Sequence, residues 1–335
     1  MMQVLNSSRV QAPDINPHAN ASSSPARPND GESPNLNRRD PLESRSVCGK
    51  QTFNKSKLLK CKKFTNISTM NVRTLRQKSK RMELTYSMSC HNISILAVID
   101  HKLCHEDEIK YEQLDQHTLI TSSAWRNANN ASAGGVGIIV NRNAECNLAE
   151  IIKFNDRILI AHFNGNPATT IIVHYSPCEG ASDAEEHYEN LTAATASVPK
   201  HNAILVLGDF NAHLGSNHGS APFSYHSVTN KNGQLLIDYL QESNMMVGNT
   251  NFRKKHSKLW TFISDMSGSK TQVDYILINR KWKNSLKNCE AYKLKNTRPP
   301  KPKSTAQKST SFNHLLCIDR KKIKGTRTVH HIFCI

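Results

Sequence analysis

The most chemically suggestive stretch of the sequence is LVLGDFNAHLG at residues 205–215, where an apolar run stops at Gly208 and is followed by Asp209 and Asn211. Side chains two positions apart in an extended chain point to the same side, so a carboxylate and a carboxamide are expected to converge. Such oxygen donors suit a hard cation such as Mg²⁺. Gly, Asp and Asn also form turns, so this stretch alone indicates either a cation site or a plain turn.

Other predicted strands also carry polar residues, mostly at their ends, where they can face one rim of a sheet. These are Asn71 in TMNVR, Asp100 in ILAVIDHK, His174 and Tyr175 in IIVHYSP, and Asp274 inside QVDYILI. A carboxylate inside an apolar strand is costly to bury unless it is paired, and a buried Asp commonly orients a catalytic histidine. Each position also has a structural interpretation as a turn, a cap, a core side chain or half of an ion pair.

The elements that must position these residues are short apolar runs separated by Gly, Asn and Asp. The pattern predicts strands at Ile67–Val72, Ile93–Val98, Thr118–Ser122, Val136–Asn141, Arg157–Phe163, Thr170–Tyr175, Ala203–Gly208 and Val273–Ile278. It predicts helices at Gln77–His91, Ser182–Val198 and Gly233–Ser243, the second of which opens with a capping box from Ser182 to Glu185. Several strands are apolar nearly throughout, so both faces of each sheet should be covered. We therefore expect an α/β protein with two packed sheets flanked by helices.

The two ends of the chain differ in composition from its middle. The chain of 335 residues has a formal net charge of +17. Residues 1–63 contribute +6 and residues 293–335 contribute +10, so the segment 64–292 is close to neutral at +1. The first segment is rich in Ser, Asn and Pro and has no apolar periodicity, so we expect a disordered basic tail there and a low-complexity basic tail at 293–335. The folded domain is expected at 64–292.

Cysteine usage and hydropathy limit the class of protein further. The nine cysteines are odd in number and none forms a CxxC pair, which is not typical of a disulfide framework or a zinc site. A reducing compartment is the simplest interpretation. No apolar run is long enough to span a membrane and the N-terminus lacks the apolar stretch of a signal peptide, so an intracellular protein without a membrane partner is expected.

The ordered set TMNVRTL, ILAVIDHK, GGVGIIV, IIVHYSP, LVLGDFNAHLG, LWTF and QVDYILI resembles the endonuclease/exonuclease/phosphatase superfamily. It is most similar to the apurinic-type endonuclease domain of non-LTR retrotransposons, over about residues 64–292. GDFNAHLG with VDYIL downstream is specific, whereas GGVGIIV alone is weak. The resemblance implies a four-layer α/β sandwich and phosphodiester cleavage of DNA with Mg²⁺, or Mn²⁺ in its place.

The resemblance also implies a role for each candidate residue. Asn71 and Asp100 would hold the metal, with Asn71 also able to contact the phosphate. Tyr175 would contact the scissile phosphate, Asp209 would position or deprotonate the attacking water, and Asn211 would stabilise the phosphate oxygens. Asp274 would orient a histidine. His174, Trp260 and Thr261 would lie at the substrate.

The sequence departs from the family pattern in two places. Asp100 stands where the family has Glu, which draws the carboxylate back by roughly an ångström and weakens metal binding. The terminal Ser-Asp-His segment of the family, with its catalytic histidine and final strand, is replaced by residues 293–335, which begin KLKNTRPPKPKS. His314, His330 and His331 are the histidines left to substitute. Loss of the final strand would leave a sheet edge unpaired unless residues 326–335, TRTVHHIFCI, cover it.

These departures predict a retrotransposon-derived Mg²⁺-dependent DNA endonuclease with impaired activity. Two other functions stay open: a non-catalytic nucleic-acid-binding remnant that uses the basic tails, and a phosphatase of the same superfamily. A nuclear location follows from the expected substrate and the basic tails, and no obligate protein partner is indicated.

Overall fold

The computed structural model describes residues 65–264, 266–292 and 329–331. The helices are α1 Lys78–Cys90, α2 Arg142–Glu145, α3 Ala184–Ala196 and α4 Lys231–Glu242, with 3-10 turns at His256–Lys258 and Arg280–Ser285. The strands are β1 Asn66–Asn71, β2 Ile93–Ile99, β3 Ile109–Leu114, β4 His117–Ser122, β5 Trp125–Arg126, β6 Ser132–Ala133, β7 Val136–Asn141, β8 Leu148–Asn155, β9 Ile158–Phe163, β10 Thr169–Tyr175, β11 Ala203–Asp209, β12 Met245–Val247, β13 Phe262–Ile263, β14 Lys270–Thr271, β15 Asp274–Asn279, β16 Glu290–Tyr292 and β17 Val329–His331.

Most of the described strands belong to two mixed sheets. The first has seven strands in the order β16-β17-β1-β2-β7-β4-β3, and the second has six in the order β12-β15-β11-β10-β9-β8. The β1–β2 and β10–β11 pairs are parallel and the other pairs within these two sheets are antiparallel. Since parallel neighbours end at the same edge, the residues after β1 and β2 lie together, and so do those after β10 and β11.

Three apolar layers hold the sheets and helices together. The central layer joins the inner faces of the two sheets, from Ile67 and Ile95 on one to Leu205 and Ile276 on the other. One outer layer packs α1 on the first sheet, and the other packs α3 and α4 on the second. All seven residues of β11 are buried, as expected for a strand covered on both faces. The predicted four-layer α/β sandwich is confirmed.

The eight predicted strands are all present, with ends that differ by one residue at most. Among the strands that were not predicted, β3 and β8 contain many polar residues, and β5, β6, β12, β13, β14 and β16 are only two or three residues long. The predicted capping box at Ser182 is wrong. The N-cap of α3 is Asp183, and its side chain makes no cap hydrogen bond.

The outer edge of β1 is paired, as expected from the sequence if residues 326–335 cover the place of the family's final strand. The backbone of β17 lies between β1 and β16, with His331 opposite Ser68 and Glu290, and His330 opposite Thr69 and Ala291. Three residues of the segment 326–335 therefore cover this edge. The proposed tail at 1–63 and nearly all of the proposed tail at 293–335 lie outside the described residues, so both tails stay predictions.

Two further expectations are addressed by the described part of the chain. The described cysteines, at positions 90, 104, 146, 178 and 289, are all free thiols. None of the described helices combines the length and the apolar character that a membrane crossing requires.

Candidate active site

The two sheets meet at a buried contact between Asn71, the last residue of β1, and Asp209, the last residue of β11. The Asn71 Nδ2 donates a hydrogen bond to the Asp209 Oδ2 at 3.0 Å. Both side chains are almost completely buried. The Asn71 Oδ1 accepts from the backbone N–H of Arg73 at 3.1 Å, so both ends of the amide are engaged. Polar residues at strand ends were expected from the sequence to meet at one rim, and Asn71 and Asp209 do so.

Asn211 does not follow Asp209 along an extended chain, which corrects the expectation that their side chains point the same way. The strand ends at Asp209, and Asn211 has a φ of 46°, in the left-handed region that Asn tolerates well. Its backbone N–H donates to the Asp209 Oδ1 at 3.2 Å, and its side-chain Nδ2 donates to the backbone carbonyl of Ser176 at 2.9 Å. Asn211 thus holds the carboxylate of Asp209 and fixes the chain that follows Tyr175.

Tyr175 and Asp274 flank Asp209 in the second sheet. The parallel register of β10 places Tyr175 beside Asp209, and the antiparallel register of β15 places Asp274 on its other side. Tyr175 is half-buried and Asp274 is fully buried. Burial raises the pKa of the Asp274 carboxyl to about 7, while a hydrogen bond with the Thr261 hydroxyl acts to lower it. Three of the four predicted catalytic residues are thus adjacent strand positions.

Thr261 and Trp260 occupy positions that differ from the predicted contact with substrate. Thr261 is fully buried, and its Oγ1 accepts from the backbone N–H groups of Val273 at 3.0 Å and Asp274 at 3.2 Å. Trp260 is 5% exposed, and the Nζ of Lys270 lies 5.1 Å from the centroid of its ring. Through these two hydrogen bonds the buried Thr261 positions the start of β15.

The carboxylate of Asp100, the residue after β2, is held by a hydrogen bond and by an ion pair. Its backbone has a φ of 60°. Its Oδ1 accepts from the backbone N–H of Gly134 at 3.1 Å, and its Oδ2 forms an ion pair with the Lys102 Nζ at 3.4 Å. The parallel register pairs Asn71 with Ile99, so Asp100 follows one residue beyond the level of Asn71.

The carboxylate and amide oxygens at this rim are of the kind that hard cations such as Mg²⁺ prefer. Across the described residues, no group of three or more His, Cys, Asp or Glu side chains is arranged to hold a metal ion. Mg²⁺ commonly takes only one or two protein carboxylates and completes its shell with water and substrate phosphate. Asp100, Asp209 and Asn71 offer oxygens of the right type, and in this structure those oxygens contact protein groups, including the Lys102 ammonium in the case of Asp100.

His174 faces the helix-covered side of the second sheet, opposite to the candidate site, and its side chain is completely buried there. Its Nδ1 lies 3.2 Å from the His187 Nε2, and its ring packs edge-on against Phe210 with centroids 4.0 Å apart. Burial, reinforced by the nearby His187, holds the pKa of His174 well below its usual range. The prediction from IIVHYSP was wrong because alternate residues of a strand face opposite sides, and Tyr175 takes the side of the site.

Two functional candidates were not found from the sequence. The guanidinium of Arg157, the residue before β9, lies 4.7 Å from the centroid of the Trp125 ring and 5.9 Å from that of Tyr175. The rings of Trp125 and Tyr175 are 6.2 Å apart. In the sequence these three residues are separated by loops and strands of ordinary composition. Only the tertiary fold brings them together beside the predicted catalytic residues.

The fold defines an α/β sandwich whose two sheets join at a polar rim, and comparison with known proteins assigns the family. The pattern of the Endonuclease/Exonuclease/phosphatase family matches residues 85–285, which is more than half of the chain. The chain therefore belongs to this family, and the resemblance found in the sequence is confirmed. The name of the family covers endonucleases, exonucleases and phosphatases, all of which hydrolyse phosphate esters.

Individual relatives and structures agree with that assignment. Craniofacial development protein 2 of Tragulus javanicus is 28% identical over 245 residues, which cover 70% of this chain and 40% of that protein. The chain thus spans well under half the length of this relative. The endonuclease domain of TRAS1, a telomere-specific non-LTR retrotransposon, has a TM-score of 0.50 at 12% identity, covering 80% of this chain and 97% of that domain. The 3′-5′ exonuclease NExo of Neisseria meningitidis has a TM-score of 0.54 at 14% identity, covering 80% and 99%. At these identities the likeness shows a shared fold.

Proposed function

We propose that this chain is a Mg²⁺-dependent DNA endonuclease domain derived from a non-LTR retrotransposon, with reduced turnover. The observation that carries the proposal is the buried hydrogen bond between Asn71 and Asp209, which places a carboxylate at the junction of the two sheets. Tyr175 and Asp274 occupy the neighbouring strand positions on either side of it. Similarity to the TRAS1 endonuclease domain supports the choice of DNA as substrate. Such a substrate implies action in the nucleus.

The arrangement suits attack of water on a phosphodiester. The carboxylate of Asp209 accepts hydrogen bonds from Asn71 and from the backbone of Asn211, which fixes its orientation while it takes a proton from water. Tyr175 is the register partner of Asp209 on the neighbouring strand, and its hydroxyl can donate a hydrogen bond to a phosphate oxygen. Asp100 and Asn71 would hold the Mg²⁺. When bound, that ion neutralises charge on the phosphate oxygens and on the leaving 3′-oxygen.

Cationic side chains around this rim support a polyanionic substrate. Lys102 pairs with Asp100, and Lys270 lies over the Trp260 ring. The guanidinium of Arg73 lies 5.7 Å from the centroid of Phe262. Since the folded segment as a whole is nearly neutral, this local concentration of cations marks the rim as the place where phosphates would be attracted.

Reduced turnover follows from the missing Ser-Asp-His segment and from the shorter carboxylate at Asp100. Asp274, which would orient the family's histidine, has a pKa raised to about 7 and is therefore partly protonated at neutral pH. In the described strand β17, His330 stands in register with Thr69, two residues before Asn71 on β1. His330 is consequently the first of the three candidate histidines to test as a replacement, followed by His331 and His314.

The test is nicking of a supercoiled plasmid by the purified chain, with Mg²⁺ and with EDTA. Asp209→Ala is the active-site variant, and Asp238→Ala, at an exposed position of α4, is the matched control. The proposal predicts slow Mg²⁺-dependent nicking that Asp209→Ala abolishes and Asp238→Ala retains. Circular dichroism and a cooperative melt must show that each variant is folded.

Two results would contradict the proposal in different ways. Salt-sensitive DNA binding without nicking, independent of Mg²⁺, would make the chain a nucleic-acid-binding remnant. Release of phosphate from a 3′-phosphorylated oligonucleotide without internal cleavage would make it a phosphatase.

A further inference from the structure

Arg157 lies against two aromatic rings beside the candidate active site. Its guanidinium lies 4.7 Å from the centroid of Trp125 and 5.9 Å from that of Tyr175, and the two rings are inclined by 31°. The Arg157 Nη1 also donates to the backbone carbonyl of Tyr175 at 3.3 Å. A guanidinium that stacks on the Trp125 ring and donates to a backbone carbonyl has lost much of its rotational freedom before any ligand arrives.

The cluster of Trp125, Arg157 and Tyr175 contacts residues that adjoin both Asp100 and Asp209. Gly134 lies against the six-membered ring of Trp125, since a Cβ at this glycine would come within 1.8 Å of the indole, and its φ is +64°. The N–H of the same glycine donates to the Asp100 Oδ1. On the other side, Tyr175 is the register partner of Asp209. Arg157 is therefore positioned next to the rim by residues that also contact the proposed metal-binding and catalytic carboxylates.

The guanidinium already holds an oxyanion in this structure. The Arg157 Nη2 lies 3.4 Å from the Oδ2 of Asp183, the residue before α3. Both side chains are partly exposed, 28% for Arg157 and 49% for Asp183, so the ion pair is open to water and to competing anions. A phosphate can accept two parallel N–H groups from arginine, which makes it a stronger partner than an exposed carboxylate.

We infer that Arg157 binds a backbone phosphate of the DNA strand, one flanking the phosphate next to Tyr175, and that Trp125 holds the guanidinium in place for this contact. The inference rests on the proposed function for its choice of substrate. It assigns Arg157 as a binding residue, Trp125 as a positioning residue, and Asp183 as an anion that the phosphate displaces. The alternative is that the stack only stabilises the loop that carries Trp125, in which case DNA affinity would not depend on Arg157.

The test is binding of a fluorescein-labelled DNA duplex by the full chain in EDTA, followed by fluorescence anisotropy across a series of salt concentrations. Removal of one phosphate contact lowers the slope of log affinity against log salt by about 0.9 for a duplex. We expect Arg157→Ala to show this change and to bind roughly tenfold more weakly at low salt. Lys153→Ala is the matched control, because Lys153, on the preceding strand β8, forms a partly exposed ion pair with Asp156. It should keep the wild-type slope.

Three further variants separate binding from folding. Arg157→Lys keeps the charge and the fold but loses the paired N–H groups, so it should retain the salt slope and lose part of the affinity. Asp183→Asn removes the competing anion and should bind the duplex about two- to threefold more tightly. Trp125→Leu keeps the arginine charge and should lower affinity with little change in slope.

The outcomes distinguish this inference from the proposed function. Equal slopes and affinities for the wild-type chain and Arg157→Ala, with DNA bound by both, would overturn the inference alone. A folded wild-type chain that binds no DNA at any salt concentration would overturn both. A lower slope for Arg157→Ala in EDTA, in a chain that never cleaves, would support the phosphate contact while the proposed catalysis fails.

Discussion

Asn71 and Asp209 join the two sheets through a buried hydrogen bond of 3.0 Å from the amide Nδ2 to the carboxylate Oδ2. The contact links residues 138 positions apart in the chain, at the ends of a strand in each sheet. The hydrogen bond therefore orients the proposed catalytic carboxylate and also fixes the two sheets relative to each other at the rim of the site.

Asn71→Ala should destabilise the fold by about 1.5–3 kcal/mol, the usual worth of a buried hydrogen bond to a charged group. Asn71→Asp should cost more at neutral pH, since it places a second carboxylate against Asp209, and part of that loss should be recovered at acid pH. Urea unfolding at pH 5 and pH 7.5 measures both effects. Asn66→Ala, at the opposite end of β1, is the control. Equal stabilities for Asn71→Ala and wild type would show that the contact is not formed in solution.

The hydroxyl of Thr261 should be essential to the position of Asp274. Thr261→Val keeps the shape but removes the acceptor of two buried backbone N–H groups, at Val273 and Asp274, so it should cost about 2–4 kcal/mol. Thr261→Ser keeps the oxygen and should cost much less. Chemical denaturation of the two variants decides the point. Similar losses for both would mean that the methyl group, and not the hydroxyl, is what this position requires.

Stability should fall in mild acid because of His101. Leu103 N–H donates to its Nδ1 at 3.0 Å, and its Nε2 lies 3.3 Å from the Val136 carbonyl, which fits a neutral ring protonated at Nε2. Burial lowers the pKa of His101 to about 4. Its contribution is complete above the unfolded pKa of about 6.5 and is lost as the pH falls towards 4, so about 2 kcal/mol should disappear between pH 8 and pH 5.

His101→Gln should make the loss of stability between pH 8 and pH 5 smaller than in the wild-type chain, even if the variant is less stable at pH 8. Urea denaturation at the two pH values gives the difference directly. His201→Gln, at an exposed position, is the matched control. A His101→Gln variant with the full wild-type acid sensitivity would mean that His101 is not the titrating group.

The strand Val329–His331 should contribute to stability through its backbone. It lies between β1 and β16, so each of its N–H groups faces a neighbouring strand, and His330→Pro would remove one ladder hydrogen bond and strain the pairing. We expect a loss of at least about 2 kcal/mol in urea unfolding. His330→Ala keeps the N–H and separates backbone from side chain. If His330→Pro melts like His330→Ala, the edge of β1 is not covered by this segment.

The sequence was sufficient for the fold because the strands are strongly apolar and punctuated by turn residues. It was less reliable for the site, and the reasons are local. Asn211 turns into the left-handed region, which a two-residue periodicity does not anticipate. His174 was assigned to the wrong side of β10, and the buried Thr261 was mistaken for an open residue because motif membership does not report exposure.

The parts that sequence reasoning missed depend on contacts between distant segments. One example is the cluster of Trp125, Arg157 and Tyr175, which forms only when the two sheets pack together. No spacing in the chain predicts it. The covering of β1 by Val329–His331 was suggested by the strand-like composition of TRTVHHIFCI, but its register required the structure. The cation requirement and the catalytic roles of the rim residues stay predictions.

The central claim is that Asp209 acts as a carboxylate in metal-dependent cleavage of DNA. The most direct measurement is single-turnover nicking of plasmid DNA by the wild-type chain and by Asp209→Asn over a range of Mg²⁺ concentrations. Asn retains the size of the side chain and an oxygen that can accept from Asn71, while the charge is lost. The account predicts nicking that saturates with Mg²⁺ and falls by roughly 100-fold or more in Asp209→Asn. Nicking by folded Asp209→Asn at the wild-type rate, or nicking that persists in EDTA, would contradict it.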